Sequence, residues 1–434
     1  MIVVVPSLVA VLFLVSSVVV GRLADRQVAR RAAVACASAA TVLAVALPWS
    51  GGFVPFSPSG RGSGPAFAVL PEGTARLVVV ATCAAGLLVV AMSPLASHPP
   101  ATLARILRLL AVSCGFVAVR HQAVAVVLWA LSAWLVWAEL RGHEDGRDLP
   151  GRGGERLDRL FAVYHLPGVL LLGVGTVLSA TGWRTAGGVL VVIAIMTRFA
   201  VVPLHSWYPR FVERAPLGVV VVFATAPFGL LTQLDLPAPL ARDVALLGGL
   251  TAVVAAVFGV VQTEARRALA FLTMSQTGLV MCGLGGSSEA VSGAVLTWEA
   301  SALAVSGLAM TLAALEARRG TLSLRVPSGN FARTPRLAVA FLLCGLATVG
   351  FPLSLGFAGG HLLIHGSVTG SPAVWLALAG AVGVNGMTVM RCFFALFAGS
   401  RTHSGERDLV PLETYALTIA IGALLVGGLF PLVP

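Results

Sequence analysis

Apolar runs recur along this 434-residue chain at the length of a bilayer crossing, and no other feature limits its fold so tightly. About fourteen can be drawn, at 2–20, 32–48, 76–95, 104–119, 122–139, 160–181, 186–203, 215–233, 243–262, 268–287, 290–316, 336–365, 372–398 and 411–433. In hydrocarbon every backbone N–H and C=O needs a partner within the protein, and a helix supplies its own. The expected fold class is therefore an all-α polytopic membrane protein, one membrane domain over 1–434 in contact with the lipid bilayer. Composition agrees. Apolar residues make up 57% of the chain, charged residues 11%, and mean hydropathy is +0.93, well beyond soluble domains. The six cysteines (Cys36, Cys83, Cys114, Cys282, Cys344 and Cys392) fall inside the runs without metal-ligand spacing and read as small buried hydrophobes.

A net charge of +11 could suggest nucleic acid, but its distribution argues for none. From the fifth span on, every second loop is arginine-rich: 139–159, 204–214, 263–267, 316–336 and 399–410. The opposite loops hold only Arg61, Arg76, Arg120, Arg184 and Arg242. Positive loops stay inside, so the chain is expected in the cell's plasma (inner) membrane with both termini extracytoplasmic. The first span, followed by Arg22, Arg26, Arg30 and Arg31, reads as a signal anchor. Residues 49–75, rich in Gly, Pro and Ser, are expected as an irregular extracytoplasmic loop. Residues 139–159 mix acids with five arginines and read either as a solvated linker or as a docking surface for a partner. All 29 basic residues are arginine, which coding bias could also produce; arginine keeps its proton and cannot hand it on as lysine can.

One stretch interrupts the apolar pattern with chemistry: Met196-Thr-Arg-Phe-Ala-Val-Val-Pro-Leu-His-Ser-Trp-Tyr-Pro-Arg-Phe-Val-Glu-Arg-Ala-Pro216. Arg198 lies inside a span, where a charge costs about 2.5–3.5 kcal/mol on insertion scales and usually faces protein. Pro203 then frees a backbone carbonyl, which requires a protein-lined or wet surrounding.

This string resembles the broken seventh helix of the antiporter-like membrane subunits of respiratory complex I. Those subunits have relatives in multisubunit Na+/H+ antiporters, membrane hydrogenases and inorganic-carbon-accumulating complexes. The family pattern is Lys-x4-Pro-Phe-His-x-Trp-x-Pro followed by Ala-Pro, and Arg198 stands at the lysine. Glu264-Ala-Arg-Arg-Ala-Leu-Ala-Phe-Leu-Thr-Met-Ser-Gln-Thr-Gly278 is similar to the start of the family's tenth helix, with Gln276 at its histidine. Gly350-Phe-Pro-Leu-Ser-Leu-Gly-Phe-Ala-Gly-Gly-His361 looks like the broken twelfth, and Met390-Arg-Cys-Phe-Phe the end of the thirteenth. The resemblance implies helix breaks at Pro203 and at Gly350/Pro352, N-terminal helices over 1–99, five-helix halves over 100–233 and 243–398, and a last helix at 411–433.

A proton path needs titratable groups in series. The resemblance implies a glutamate in helix five, lysines in helices seven and eight, and a charged residue in helix twelve. Here those positions are Ala130 or Leu131, Arg198, Phe228 and Gly360, and Ser301 replaces a helix-eleven histidine. The ion-path candidates that remain are Arg198, His205, Glu299, His361, His365 and Arg391. Arg198 reads as a fixed counter-charge or an anion contact. Glu299, about 200° around its helix from Ser301, reads as a path residue or as a carboxyl satisfied structurally. His361 and His365 share one helical face, as path residues or as core or interfacial histidines. Arg391 reads as a path residue or as snorkelling to the cytoplasmic surface.

The expected function is a membrane subunit of a larger proton- or cation-translocating complex, with a degenerate proton path. The alternatives are a gradient-coupled subunit energising a soluble partner, as in inorganic carbon uptake, or a structural scaffold. Other membrane subunits and a soluble cytoplasmic subunit are the implied partners. No cofactor, metal or catalytic residue is expected, and no enzymatic role beyond that of a non-catalytic translocase subunit.

Overall fold

The computed structural model describes residues 4–47, 72–119, 122–144, 156–226, 238–283, 287–327, 329, 331–368, 372–399 and 406–429. They form sixteen helices: α1 (Val4–Arg22), α2 (Arg26–Ala46), α3 (Glu72–Met92), α4 (Pro100–Ala118), α5 (Gln122–Glu144), α6 (Leu157–Ala180), α7 (Arg184–Arg198), α8 (Trp207–Arg214), α9 (Leu217–Ala224), α10 (Ala238–Val260), α11 (Ala265–Gly283), α12 (Ser288–Arg319), α13 (Pro335–Thr348), α14 (Leu355–Val368), α15 (Pro372–Phe397) and α16 (Pro411–Leu429). Ten are long and apolar enough to cross a membrane. The fold is an all-α polytopic membrane bundle. Most of the loop expected at 49–75, and the family position Phe228, lie outside the described residues.

Burial orders the bundle. The most apolar stretches of α3 and α12 are 83% buried, those of α2, α15 and α16 only about a third, so α12 forms the axis and the others its wall. The wall turns apolar side chains outward, among them Val11, Val127, Val163, Leu166 and Leu376, as lipid contact demands. Helices inside a membrane meet through small residues, because lipid supplies no hydrophobic drive. Gly278 of α11 is an example: a Cβ there would lie 2.6 Å from the Ala252 nitrogen of α10.

Both expected breaks form, each after a short apolar helix. In the first, α7 stops at Arg198, Ala200 takes φ +52°, and the Val202–Pro203 peptide is cis. The Pro203 ring itself is exposed, but the backbone around it finds partners in protein. Val202 N donates to Thr251 Oγ1 of α10 at 3.1 Å, and Trp207 Nε1 donates to the Thr197 carbonyl at 3.1 Å. In the second, α13 ends at Thr348, Gly350 and Leu353 have φ +75°, and Ser354 Oγ accepts from Phe357 N as α14 begins.

Pro352 lies in the second break, as expected. The span drawn over 336–365 is interrupted there: α13 ends at Thr348, four residues before it, and α14 begins at Leu355. Pro352 lies outside both helices, exposed in the turn between them, and makes no part of the buried interior. Gly350 and Leu353, on either side of it, take left-handed backbone conformations. The turn satisfies its own backbone. Phe351 N donates to the Leu346 carbonyl at 3.0 Å and Ser354 N to the Phe351 carbonyl at 3.1 Å. Proline between them has no N–H to satisfy, so its ring can face outward at no cost in hydrogen bonds.

The arginine-rich loops gather at one end of the bundle and are knitted there by ion pairs. Arg266 is bidentate on Glu316 and donates to the carbonyls of Val212, Glu213 and Ala215, closing the end of α8. Arg318 pairs with Glu413 at 3.0 Å and Arg319 with Glu406 at 2.5 Å. Asp408 accepts from the Arg336 and Leu337 amides at the start of α13. Two acids drawn from sequence as part of the loop at 139–159 are not solvated. Glu139 continues α5, is 2% exposed, and binds Arg105 and Thr102 of α4; Asp158 is buried in the first turn of α6. The apolar repeat before Glu139 simply runs on as helix and carries the carboxylate against α4.

Candidate functional site

Arg198 is the last residue of α7, so the break aims its side chain across the bundle instead of along a continuing helix. It is 4% exposed. Nη1 donates to Ser132 Oγ of α5 at 2.9 Å, and Nη2 reaches the Phe223 carbonyl of α9 at 3.5 Å. The guanidinium carbon stands 3.6 Å from the centre of the Phe223 ring and 5.3 Å from that of Trp129. Stacking on aromatic faces suits a delocalised, weakly hydrated guanidinium far better than an ammonium.

Phe223 joins this cage to a second group. His165 of α6 is 3% exposed; it stacks on Phe161 at 4.0 Å and meets Trp207 edge-on at 4.5 Å and Phe223 at 5.4 Å. Among the described residues its Nε2 has no hydrogen-bond partner. One aromatic cluster thus holds a fixed cation and an imidazole.

Beyond the cage a cavity of about 40 Å³ opens between α7, α9, α11 and α12, lined by Ile195, Phe199, Thr225, Gln276, Trp298 and Ser301 among others. Ser301 Oγ donates to Gln276 Oε1 at 3.2 Å, so the two positions where the family resemblance implies histidines meet as a neutral pair. The volume is enough for water, and the lining supplies polar partners for it. On the other face of α11, Asn385 Nδ2 of α15 donates to Ser275 Oγ, which donates to the Ala252 carbonyl of α10. The buried polar line through the described residues is therefore one cation, one imidazole, hydroxyls and amides.

Of the candidates drawn from sequence, the structure brings only Arg198 to this line. His205 sits half-buried in the break with Nδ1 enclosed and without a hydrogen-bond partner among the described residues. Glu299 is 3% exposed on α12, but its helical position points away from Ser301 and the cavity, and its Oε1 has no partner among the described residues. His361 and His365 stack on each other along the outward face of α14, 6.3 Å apart, and His365 Nδ1 lies 3.0 Å from Glu289 Oε1. A Cβ at Gly360 would meet nothing within 4 Å. Arg391 is half-buried at the arginine-rich end: Nη1 donates to the Val260 and Gln262 carbonyls at 2.7 and 2.6 Å and caps the end of α10. Neither break proline, Pro203 nor Pro352, touches the line, since both rings are exposed.

Sequence reading missed His165, Ser132 and Asn385. His165 carried a usable signal, an ionisable side chain within an apolar run and two residues before Pro167. Ser132 and Asn385 carried none, since small polar residues occur throughout the spans.

The pattern of the family described as NADH:quinone oxidoreductase/Mrp antiporter, TM matches residues 161–386, more than half of the chain. The chain belongs to this family. Both breaks, Gln276, Ser301 and Gly360 fall within the match, whereas helix five and Arg391 lie outside it. The chain is 26% identical to NADH-quinone oxidoreductase subunit M of Pseudomonas aeruginosa over 299 residues, 63% of this chain and 57% of that protein. It spans about half the length of the curated relatives it matches. In fold it is similar to a chain of respiratory complex I from Thermus thermophilus with bound NADH, with a TM-score of 0.83 and 21% identity, covering 99% of this chain and 96% of that one. A chain of the Mrp complex from Dietzia sp. DQ12-45-1b gives a TM-score of 0.80 and 17% identity, covering 99% and 95%. At those identities the likeness is one of fold.

Proposed function

We propose that this antiporter-family chain is a membrane subunit of a larger proton- or cation-translocating complex, with a degenerate proton path of its own. The observation that carries this reading is Arg198, a guanidinium at the first helix break, gripped by a hydroxyl and two aromatic faces. A relay group must release its proton and take it back, whereas a caged guanidinium holds charge in place. Arg198 then serves as an electrostatic post that sets the field in the aromatic cluster. Glu299, His205 and the His361/His365 pair remain the groups through which any residual conduction would pass. The chain's partners are neighbouring membrane subunits and a soluble cytoplasmic subunit; the arginine-rich end faces the cytoplasm of a plasma membrane, and both termini face outward. The names of the relatives favour this over a carbon-uptake role.

The test is the intact complex, purified in mild detergent and reconstituted. Quinone-oxidoreductase or antiporter subunits are expected to copurify. Arg198→Lys restores a titratable group at one position only, so proton flux is expected to stay at the wild-type level. A marked rise would show a complete wire and sink the degenerate-path reading.

A further inference from the structure

Five of the seven half-buried arginines among the described residues are matched at the arginine-rich end. Glu139 holds Arg105, Glu316 holds Arg266, Glu413 holds Arg318, Glu406 holds Arg319, and two carbonyls hold Arg391. Two break the pattern. Arg30 of α2 is half-buried with Nε enclosed and no hydrogen-bond partner among the described residues. Arg108 of α4 is half-buried and has one weak contact, Nε to Ser17 Oγ of α1 at 3.4 Å.

These residues lie at one level. The Cys36 Sγ contact to the Leu12 carbonyl sets the register of antiparallel α1 and α2, and places Arg30 opposite Val18, one residue from Ser17. The close approach of Gly21 to Ala104 sets that of α1 and α4, and places Ser17 opposite Arg108. Arg30 is the fifth residue of α2 and Arg108 the ninth of α4, about 6 and 12 Å inside the helix ends and so within the first turns of two spans. Arg22 and Arg31 add exposed charge nearby, and the acid of the adjoining turn, Asp25, is used in capping the Gln27 and Val28 amides. The surrounding surface is apolar: Leu14, Val15, Val18 and Val28 are all exposed.

We propose that Arg30 and Arg108 bind the phosphate of an anionic phospholipid seated against α1, α2 and α4, while Ser17, buried and donating to the Leu14 carbonyl, accepts from Arg108 on the inner side. A half-buried guanidinium without an acidic partner favours an anion, and two of them at one level match a phosphodiester. The acyl chains then run along the outward apolar face of α1, which a free anion would leave uncovered.

The full chain, purified in neutral detergent, is titrated with phosphatidylglycerol, phosphatidylcholine or inorganic phosphate and followed by native mass spectrometry. Phosphatidylglycerol is expected to bind in preference to the other two. Arg30→Gln with Arg108→Gln is expected to weaken it about thirtyfold, two charges at the usual increment per basic side chain near an anionic surface. The surface pair Arg22→Gln with Arg31→Gln should weaken it less. Helicity checks folding, and each single variant, expected to show about half the logarithmic loss, replaces the double should the latter misfold. Equal binding of the two lipids, undiminished binding by the variants, or binding of inorganic phosphate alone overturns the proposal. So does a photo-crosslinker at position 30 that captures a protein subunit, instead of lipid, in the assembled complex.

Discussion

At the scale of single residues, the site is governed by what a buried guanidinium tolerates. Arg198 exchanges hydration for a hydroxyl, a carbonyl and two ring faces. Arg198→Ala removes the charge but leaves the Ser132 hydroxyl and an emptied cage. It is expected to lower stability by about 2–4 kcal/mol, against about 1 kcal/mol for Arg198→Lys, which keeps the charge and loses the planar stack. Thermal unfolding in detergent reads the difference, and equal midpoints for wild type and Arg198→Ala would make Arg198 a bystander. Trp207 does a separate job at the start of α8: its indole N–H donates to the Thr197 carbonyl at 3.1 Å, where the backbone supplies only the longer 3.4 Å bond from Ala200 N. Trp207→Phe keeps most of the ring packing and leaves that carbonyl with the weaker bond. A loss of about 1–3 kcal/mol is expected in the same assay.

At the scale of elements, both breaks depend on backbone approaching backbone. The second break needs Gly350 at φ +75° and Gly356 so close to α13 that a Cβ would stand 2.3 Å from the Ala347 carbonyl oxygen. Gly356→Ala forces α13 and α14 apart, with an expected cost of about 1–3 kcal/mol from overpacking. Gly360→Ala on the same helix meets open space and is expected to be neutral. Comparing the two midpoints tests the packing argument directly, and a neutral Gly356→Ala would refute it. The prolines made both interruptions legible from sequence, and both lie exposed in the turn between two helices. Which groups would close around the breaks was not legible, because Thr251, Trp207 and Ser354 act on them from other helices or from across the gap.

At the scale of the molecule, charge is spent at one end. Arg319 and Glu406 are 4% and 3% exposed, and Arg319 also holds the Leu396 carbonyl, so the end of α12 is tied to the end of α15 and the segment before α16. Arg319→Gln leaves a buried carboxylate without its cation and is expected to destabilise by about 3–5 kcal/mol. Exposed Arg325→Gln should cost less than about 0.5 kcal/mol. Similar losses from the two would show that this end is held by packing alone. Orientation is tested separately. Cysteines introduced at Ser59 and Gly151, both outside the described residues, should react with an impermeant reagent in intact cells at the first position only; the reverse labelling would invert the topology.

Hydropathy alone determined that the chain is a helical membrane bundle, because hydrocarbon penalises unsatisfied backbone wherever it occurs. The prolines at the two breaks determined that helices must stop nearby, and the motifs around them pointed to the family. Tertiary structure decided which charges meet. Arg198 found aromatic rings on α5 and α9, Glu139 was drawn back into α5 to face Arg105, and Arg391 came to cap the end of α10. It also carried His361 and His365 to the outer face and brought His165 into the cage. The reason is geometric. A span's sequence says that a polar group lies within a membrane, but the face it occupies acquires a partner only when another helix, distant in sequence, is packed against it.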